Sequence, residues 1–222
     1  MATAVVAVVV LASTLFGVAC RGERGGRQAQ PDSTEPAILF FGNSITKGQG
    51  VKIADAFPAL IQEEVDAAGF ELRCLNAGIS GETTAGGLAR VSRYLDPPPR
   101  LAVVELGAND VFRGIDRRHT YENLEAIVEA FQQAGARVIL AGTTFPGVHP
   151  AHGLAMGRMY QQVAENTGAL LIPDLLDGVA GVADLNLPDF IHPNARGHER
   201  LAETAWPFVE EALYEVSSAR RR

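Results

Sequence analysis

Apolar positions change period repeatedly along the chain from Ala37 onward. Apolar runs of strand length fall at residues 37–41, 72–75, 101–106, 137–141 and 169–172. Between them the spacing becomes helical. Residues 54–68 place Phe57, Leu60, Ile61, Val65 and Ala68 on one face, and Gly69 stops the run. Residues 84–95 predict a shorter helix, ended by three prolines. Residues 120–134 carry Leu124, Ile127, Val128 and Phe131 inward and close at Gly135; residues 155–167 stop at Gly168. The last helix is predicted over 195–214, with Asn194 as its N-cap and Leu201, Ala205, Phe208, Val209 and Leu213 inward. Strands that alternate with helices predict parallel pairing by right-handed crossovers, with helices on both faces. The expected fold is α/β: a three-layer α/β/α sandwich on a five-stranded, mostly parallel sheet. The loops that begin at Gly42, Asn76, Gly107 and Gly142 then share one sheet edge, where such folds place their ligands.

The first twenty residues depart from this pattern. Residues 2–19 carry no charge and end in Phe16-Gly17-Val18-Ala19-Cys20. Small residues before a cysteine resemble a bacterial lipoprotein signal, with Cys20 as the lipidated residue. Gly17 stands where that signal usually has a Leu-like residue, and no Lys or Arg precedes the apolar run. A lipoprotein leader is the first expectation and plain secretion the second; either puts the protein outside the cytoplasm, as a periplasmic, membrane-anchored or secreted protein. Residues 21–36 are rich in Gly, Gln, Arg, Ser and Pro and read as a flexible linker. The expected organisation is a leader over 1–20, a linker over 21–36, one domain over 37–215 and a disordered tail over 216–222. The net charge of −7 argues against a nucleic-acid partner, which would need a basic face. Cys74 lies in a strand-like run and its only possible mate is Cys20, so it reads as a small buried residue.

The shared edge gathers chemistry. Ser44 follows the first strand, Asn76 to Thr84 the second, and Glu105 to Asp110 the third; Asp189, His192 and Asn194 precede the last helix. A serine hydroxyl needs a base to become a nucleophile, and histidine serves at neutral pH. An aspartate can orient the imidazole, and amide donors can hold the charge that develops on a carbonyl oxygen. Ser80 lies in Gly78-Ile79-Ser80-Gly81, which lacks the Gly-x-Ser-x-Gly elbow. His119, His149, His152 and His198 read as surface histidines. No His-Glu-x-x-His occurs, and the glycines of 42–50 lack a Gly-Lys-Ser/Thr ending, so neither a metal site nor a phosphate loop is expected.

Four blocks in this order resemble the SGNH/GDSL hydrolase family, nearest its bacterial lysophospholipase/thioesterase I and arylesterase branch. They are Gly42-Asn43-Ser44-Ile45-Thr46, the stretch from Asn76 to Arg90 with Gly81, Glu105-Leu106-Gly107-Ala108-Asn109-Asp110, and Asp189-Phe190-Ile191-His192-Pro193-Asn194. The resemblance implies a flavodoxin-like SGNH hydrolase fold. It also implies a serine hydrolase that cleaves carboxylic esters or thioesters through an acyl-enzyme. It makes Ser44 the nucleophile, His192 the base and then the acid, and Asp189 the residue that orients His192. It assigns the oxyanion hole to the backbone N–H groups of Ser44 and Gly81 and the side-chain amide of Asn109. Phe145 and Val148, in the loop after the fourth strand, are expected to line the acyl pocket. No cofactor or metal is implied. The implied partner is a small ester or an acyl lipid, with membrane contact through Cys20. A carbohydrate O-acetylesterase on the same scaffold is the nearest alternative, and a non-catalytic binding domain is the alternative of another class. One position departs from the usual pattern: Asn43 stands where the family commonly has Asp. The lost negative charge is expected to lower the His192 pKa slightly.

Overall fold

The computed structural model describes residues 37–144 and 150–219. Cys20, the leader, the linker, Phe145 and Val148 lie outside the described residues. The chain forms β1 (Ala37–Gly42), a one-turn helix α1 (Ser44–Lys47), α2 (Phe57–Ala67), β2 (Arg73–Asn76) and α3 (Thr84–Arg90). It continues through β3 (Leu101–Glu105), α4 (Ala108–Phe112), α5 (Arg117–Gln133), β4 (Arg137–Ala141), α6 (Pro150–Thr167), β5 (Leu170–Ile172) and α7 (Ala195–Ala219). The strands form one five-stranded parallel sheet in the order β2-β1-β3-β4-β5. The order reverses beside β1, and an open α/β sheet opens a crevice at the carboxyl end of such a point.

Side chains of β1 point alternately to two cores. Ile38 and Phe40 pack with Phe57, Ile61 and Val65 of α2 and Leu201, Val209 and Leu213 of α7. Leu39 and Phe41 pack on the other face with Leu124, Ile127 and Phe131 of α5 and Tyr160 of α6. Both faces of β1 are therefore dry, and all six of its residues are buried. Burial of each large side chain there stabilises the fold by about 1.5–3 kcal/mol, which fixes the strand that carries Ser44.

Three expectations are corrected. Helix α2 begins at Phe57, not at 54; a 3₁₀ turn at Ile53–Asp55 precedes it, and Pro58 occupies the first turn, where a missing N–H costs nothing. Residues 91–94 tighten into a 3₁₀ turn instead of continuing α3. Helix α7 runs to Ala219, so 216–219 are helical, not a disordered tail; Val216 packs against the core.

His198 is also corrected: it is fully buried, not a surface histidine. Ala56, at the start of α2, has no side-chain oxygen to satisfy the free N–H groups of the first turn. His198 reaches across from α7, and its Nδ1 accepts the Phe57 N–H at 3.3 Å while the ring stacks parallel to Phe57. Nδ1 as acceptor requires a neutral ring with its proton on Nε2. Burial holds the imidazole down at about 4.

Candidate active site

The apolar run of β1 ends at Gly42, and the chain turns at once into α1. Gly42 is required there: a Cβ would collide with the Thr46 hydroxyl and sit 2.7 Å from the Glu105 carbonyl oxygen. Asn43 caps the turn, its Oδ1 accepting the Ile45 N–H at 2.9 Å. Ser44 is thus the first helical residue, nearly buried, with its hydroxyl at the sheet edge.

Beneath it lies Glu105, at the end of β3 and opposite Gly42. Its carboxylate is fully buried. Oε1 accepts the Asn43 side-chain amide at 2.7 Å. Oε2 accepts the Thr46 hydroxyl at 2.8 Å and the backbone N–H groups of Asn43 and Thr46, each at 3.3 Å. The residues on both sides of Ser44 are thereby tied to one carboxyl group. Burial pushes that carboxyl up to about 7, against the pull of its donors.

Ser44 Oγ lies 3.0 Å from Nε2 of His192, and His192 Nδ1 lies 2.7 Å from Oδ2 of Asp189. The loop before α7 is built for this. Leu187 N–H donates to the His192 carbonyl at 2.8 Å, and Asn194 N–H to that of Leu185 at 2.9 Å. The Asn194 side chain accepts the Gly197 N–H at 3.1 Å as the cap of α7, and it donates to the Asp184 and Asn186 carbonyls. Asp189 Oδ1 accepts the backbone N–H groups of Ile191 and His192, each at 3.0 Å. The His192 N–H, then the imidazole, hold the Asp189 carboxyl down at about 2, so it is ionised at neutral pH. An ionised partner on Nδ1 fixes the proton there and leaves Nε2 basic, toward Ser44.

The second block closes over this edge. Ile79 N–H donates to the Gly42 carbonyl at 2.9 Å, and the Asn76 side chain to the Thr46 carbonyl at 2.8 Å. Gly81 adopts φ +77°, a conformation that glycine reaches without strain. The Asn109 side-chain amide donates to the Glu82 carbonyl at 2.9 Å, so Asn109 and Gly81 are joined through one residue. A primary amide has two hydrogens, and that bond uses one. Ser80 Oγ is buried with no hydrogen-bond partner among the described residues, so no base activates it.

Two polar groups that frame the block were assigned no role from sequence. The buried guanidinium of Arg90 donates from Nε to Glu82 at 2.8 and 2.9 Å, and from Nη2 to the carbonyls of Ala77 at 2.9 Å and Gly42 at 3.4 Å. It also lies 3.8 Å over the Phe41 ring. One side chain therefore ties the Gly81–Glu82 turn to the end of β1. Asp110, also buried, accepts the Thr84 N–H at 2.9 Å and the Thr84 hydroxyl, which pins the start of α3 to the loop of Asn109. The readable signal for Glu105 was an acid closing an apolar strand, since a buried charge must find partners.

The sequence profile of the GDSL-like Lipase/Acylhydrolase family matches residues 40–200. Esterase TesA of Pseudomonas aeruginosa is 36% identical over 178 residues, which cover 79% of this chain and 89% of that one. An arylesterase of Vibrio mimicus is 30% identical over 181 residues, covering 79% and 87%. A crystal structure of TesA superposes with a TM-score of 0.77 at 35% identity, covering 79% of this chain and 99% of the other. The five-stranded sheet, the serine just beyond the end of β1 and these relatives agree: the chain belongs to the GDSL-like lipase/acylhydrolase family and is an SGNH-type serine esterase.

Proposed function

We propose that Ser44, His192 and Asp189 carry the reaction of this esterase, and that the line from Ser44 Oγ to Nε2 and from Nδ1 to Asp189 is the observation that supports it. Ser44 Oγ attacks the carbonyl carbon of the ester or thioester as its proton passes to Nε2. Asp189 stays ionised and stabilises the imidazolium. The carbonyl oxygen, now negative, is received by the N–H groups of Ser44 and Gly81 and by the free hydrogen of the Asn109 amide. Loss of one such donor costs about 3 kcal/mol of barrier. As the tetrahedral intermediate collapses, the alcohol or thiol takes the proton from Nε2 and departs, which leaves the acyl group on Ser44. Water then repeats the cycle, with His192 again as base. Aryl and alkyl esters and acyl lipids are the substrate classes in keeping with the arylesterase and esterase relatives.

The test is covalent. A fluorophosphonate is expected to label the wild-type protein at one residue, mapped by peptide mass spectrometry to Ser44. No label on the folded protein, or a label elsewhere, would overturn the assignment.

The same reading puts the enzyme outside the cytoplasm, held at a membrane by lipid on Cys20, with residues 21–36 as the tether. It rests on the uncharged leader and the small residues before Cys20. The mass of the mature N-terminus checks it: a diacylglyceryl-modified Cys20 is expected, and an unmodified Cys20 would end the idea.

A further inference from the structure

Phe190 sits between Asp189 and His192 at φ +57°, the non-glycine residue with a positive φ among the described residues. The tight turn requires it. Phe190 N–H donates back to the Leu187 carbonyl at 2.9 Å, and the chain then bends so that two successive N–H groups meet Asp189 Oδ1. Glycine would serve this turn without strain, whereas a bulky L-residue is strained in it. The ring gains nothing from the core in return, because Phe190 is 58% exposed. Its neighbour Ile191 is 40% exposed. A strained, exposed aromatic beside a reactive histidine points to a use in recognition rather than in folding.

The chemistry says which half of the substrate it meets. His192 must hand its proton to the departing oxygen or sulfur, so the leaving group lies on the His192 side of the scissile bond. The acyl carbonyl oxygen lies on the other side, toward Gly81 and Asn109. We infer that Phe190, with Ile191, forms the surface that binds the alcohol or thiol part of the substrate and selects for bulky apolar leaving groups. This rests on the roles proposed above for Ser44 and His192.

The test uses methyl, benzyl and naphthylmethyl butyrates, which share one acyl group and have leaving alcohols of similar acidity. For Phe190→Gly the ratio of kcat/KM for the benzyl ester over the methyl ester is expected to fall about tenfold, the loss of one aromatic contact. Where hydrolysis of the shared butyryl-enzyme sets kcat, the fall appears in KM. Phe190→Leu, which keeps an apolar surface, is expected to retain most of the preference. Release of the strained φ is expected to raise the Tm of Phe190→Gly by about 2 °C. A ratio unchanged in Phe190→Gly overturns the inference, and so does a lower Tm with the preference intact. Fluorophosphonate labelling separates the two levels. A labelled Phe190→Gly protein with an unchanged ratio defeats this inference alone, and a wild type that takes no label defeats the assignment beneath it.

Discussion

Ser44→Ala and His192→Ala are each expected to lower kcat by about 10⁶-fold, and the double variant is expected to fall no further. The reason is that Oγ and Nε2, 3.0 Å apart, act as one group. Without the base the hydroxyl keeps its proton, and without the hydroxyl the base has nothing to activate. A residual rate of about 10³–10⁴ over water should survive, because the amides that receive the oxyanion are untouched. Asp189→Asn is expected to cost about 10⁴-fold. That is a large effect for a side chain 44% exposed to solvent, and it follows from the hydrogen-bond pattern. The asparagine oxygen can keep the N–H groups of Ile191 and His192, so the loop holds. Its NH₂ then faces Nδ1, which must become an acceptor, and the ring proton moves to Nε2, where it blocks the transfer from Ser44. Single-turnover release of p-nitrophenol, with circular dichroism to verify folding, measures all four proteins. Multiplicative losses in the double variant would show that Ser44 and His192 act independently and would sink the unit.

Much of this was readable before any coordinates, for a physical reason. The strands are continuous apolar runs because both faces of the sheet are covered, and β1, β3 and β4 carry the longest of these runs. Helices of three turns or more show their buried face as a period, so the spacing locates α2, α5, α6 and α7 to within five residues at each end. The one-turn helices α1 and α4 could not be seen that way, because a single turn has no period to detect. The four polar blocks fall at strand ends, and the parallel topology alone brings them together. What stayed hidden were pairings made only in three dimensions. His198 lies among Gly197, Glu199 and Arg200, which reads as a surface stretch, and its burial depends on the uncapped start of α2 far away in sequence. Arg90 reads as an ordinary basic end to a helix until Glu82, Ala77 and Gly42 are seen around it. Phe190 looks like a hydrophobic residue in a motif, and only its φ marks it as unusual.

Glu105→Gln is expected to lower kcat by about a hundredfold and to destabilise the fold by about 3 kcal/mol. Four donors face this carboxyl group from Asn43 and Thr46, and glutamine offers one oxygen for two positions. Its NH₂ must point either at the Asn43 amide or at the three donors on Oε2, which leaves buried donors unpaired and frees the turn that aims Ser44. The same substitution should expose an opposed pair of titrations. Glu105 is raised from 4.5 to about 7, so the folded chain holds a proton that the unfolded chain releases in that interval. Its contribution to stability is therefore full below about pH 4.5 and is lost as pH rises through about 7. His198 is lowered from 6.5 to about 4, so the unfolded chain takes up the proton first as pH falls, and stability is lost from about pH 6.5 down to about 4. Each is of order 3 kcal/mol and they share one window with opposite signs. Urea midpoints of the wild type should accordingly change little between pH 7 and pH 4.5. Those of Glu105→Gln should fall on acidification, and those of His198→Gln should rise. Asn43→Asp tests the same carboxyl group from its other side. A second carboxylate at 2.7 Å from Oε1 cannot ionise beside the first, so the pair would keep one proton and a single negative charge near neutrality. Below about pH 7, where the wild-type Glu105 carboxyl holds its proton, Asn43→Asp therefore adds one negative charge beside Ser44. The acid limb of the kcat/KM profile is expected to move to higher pH in Asn43→Asp. An acid limb that does not move, or a Glu105→Gln protein with the wild-type pH dependence of stability, would show that Glu105 does not hold this proton.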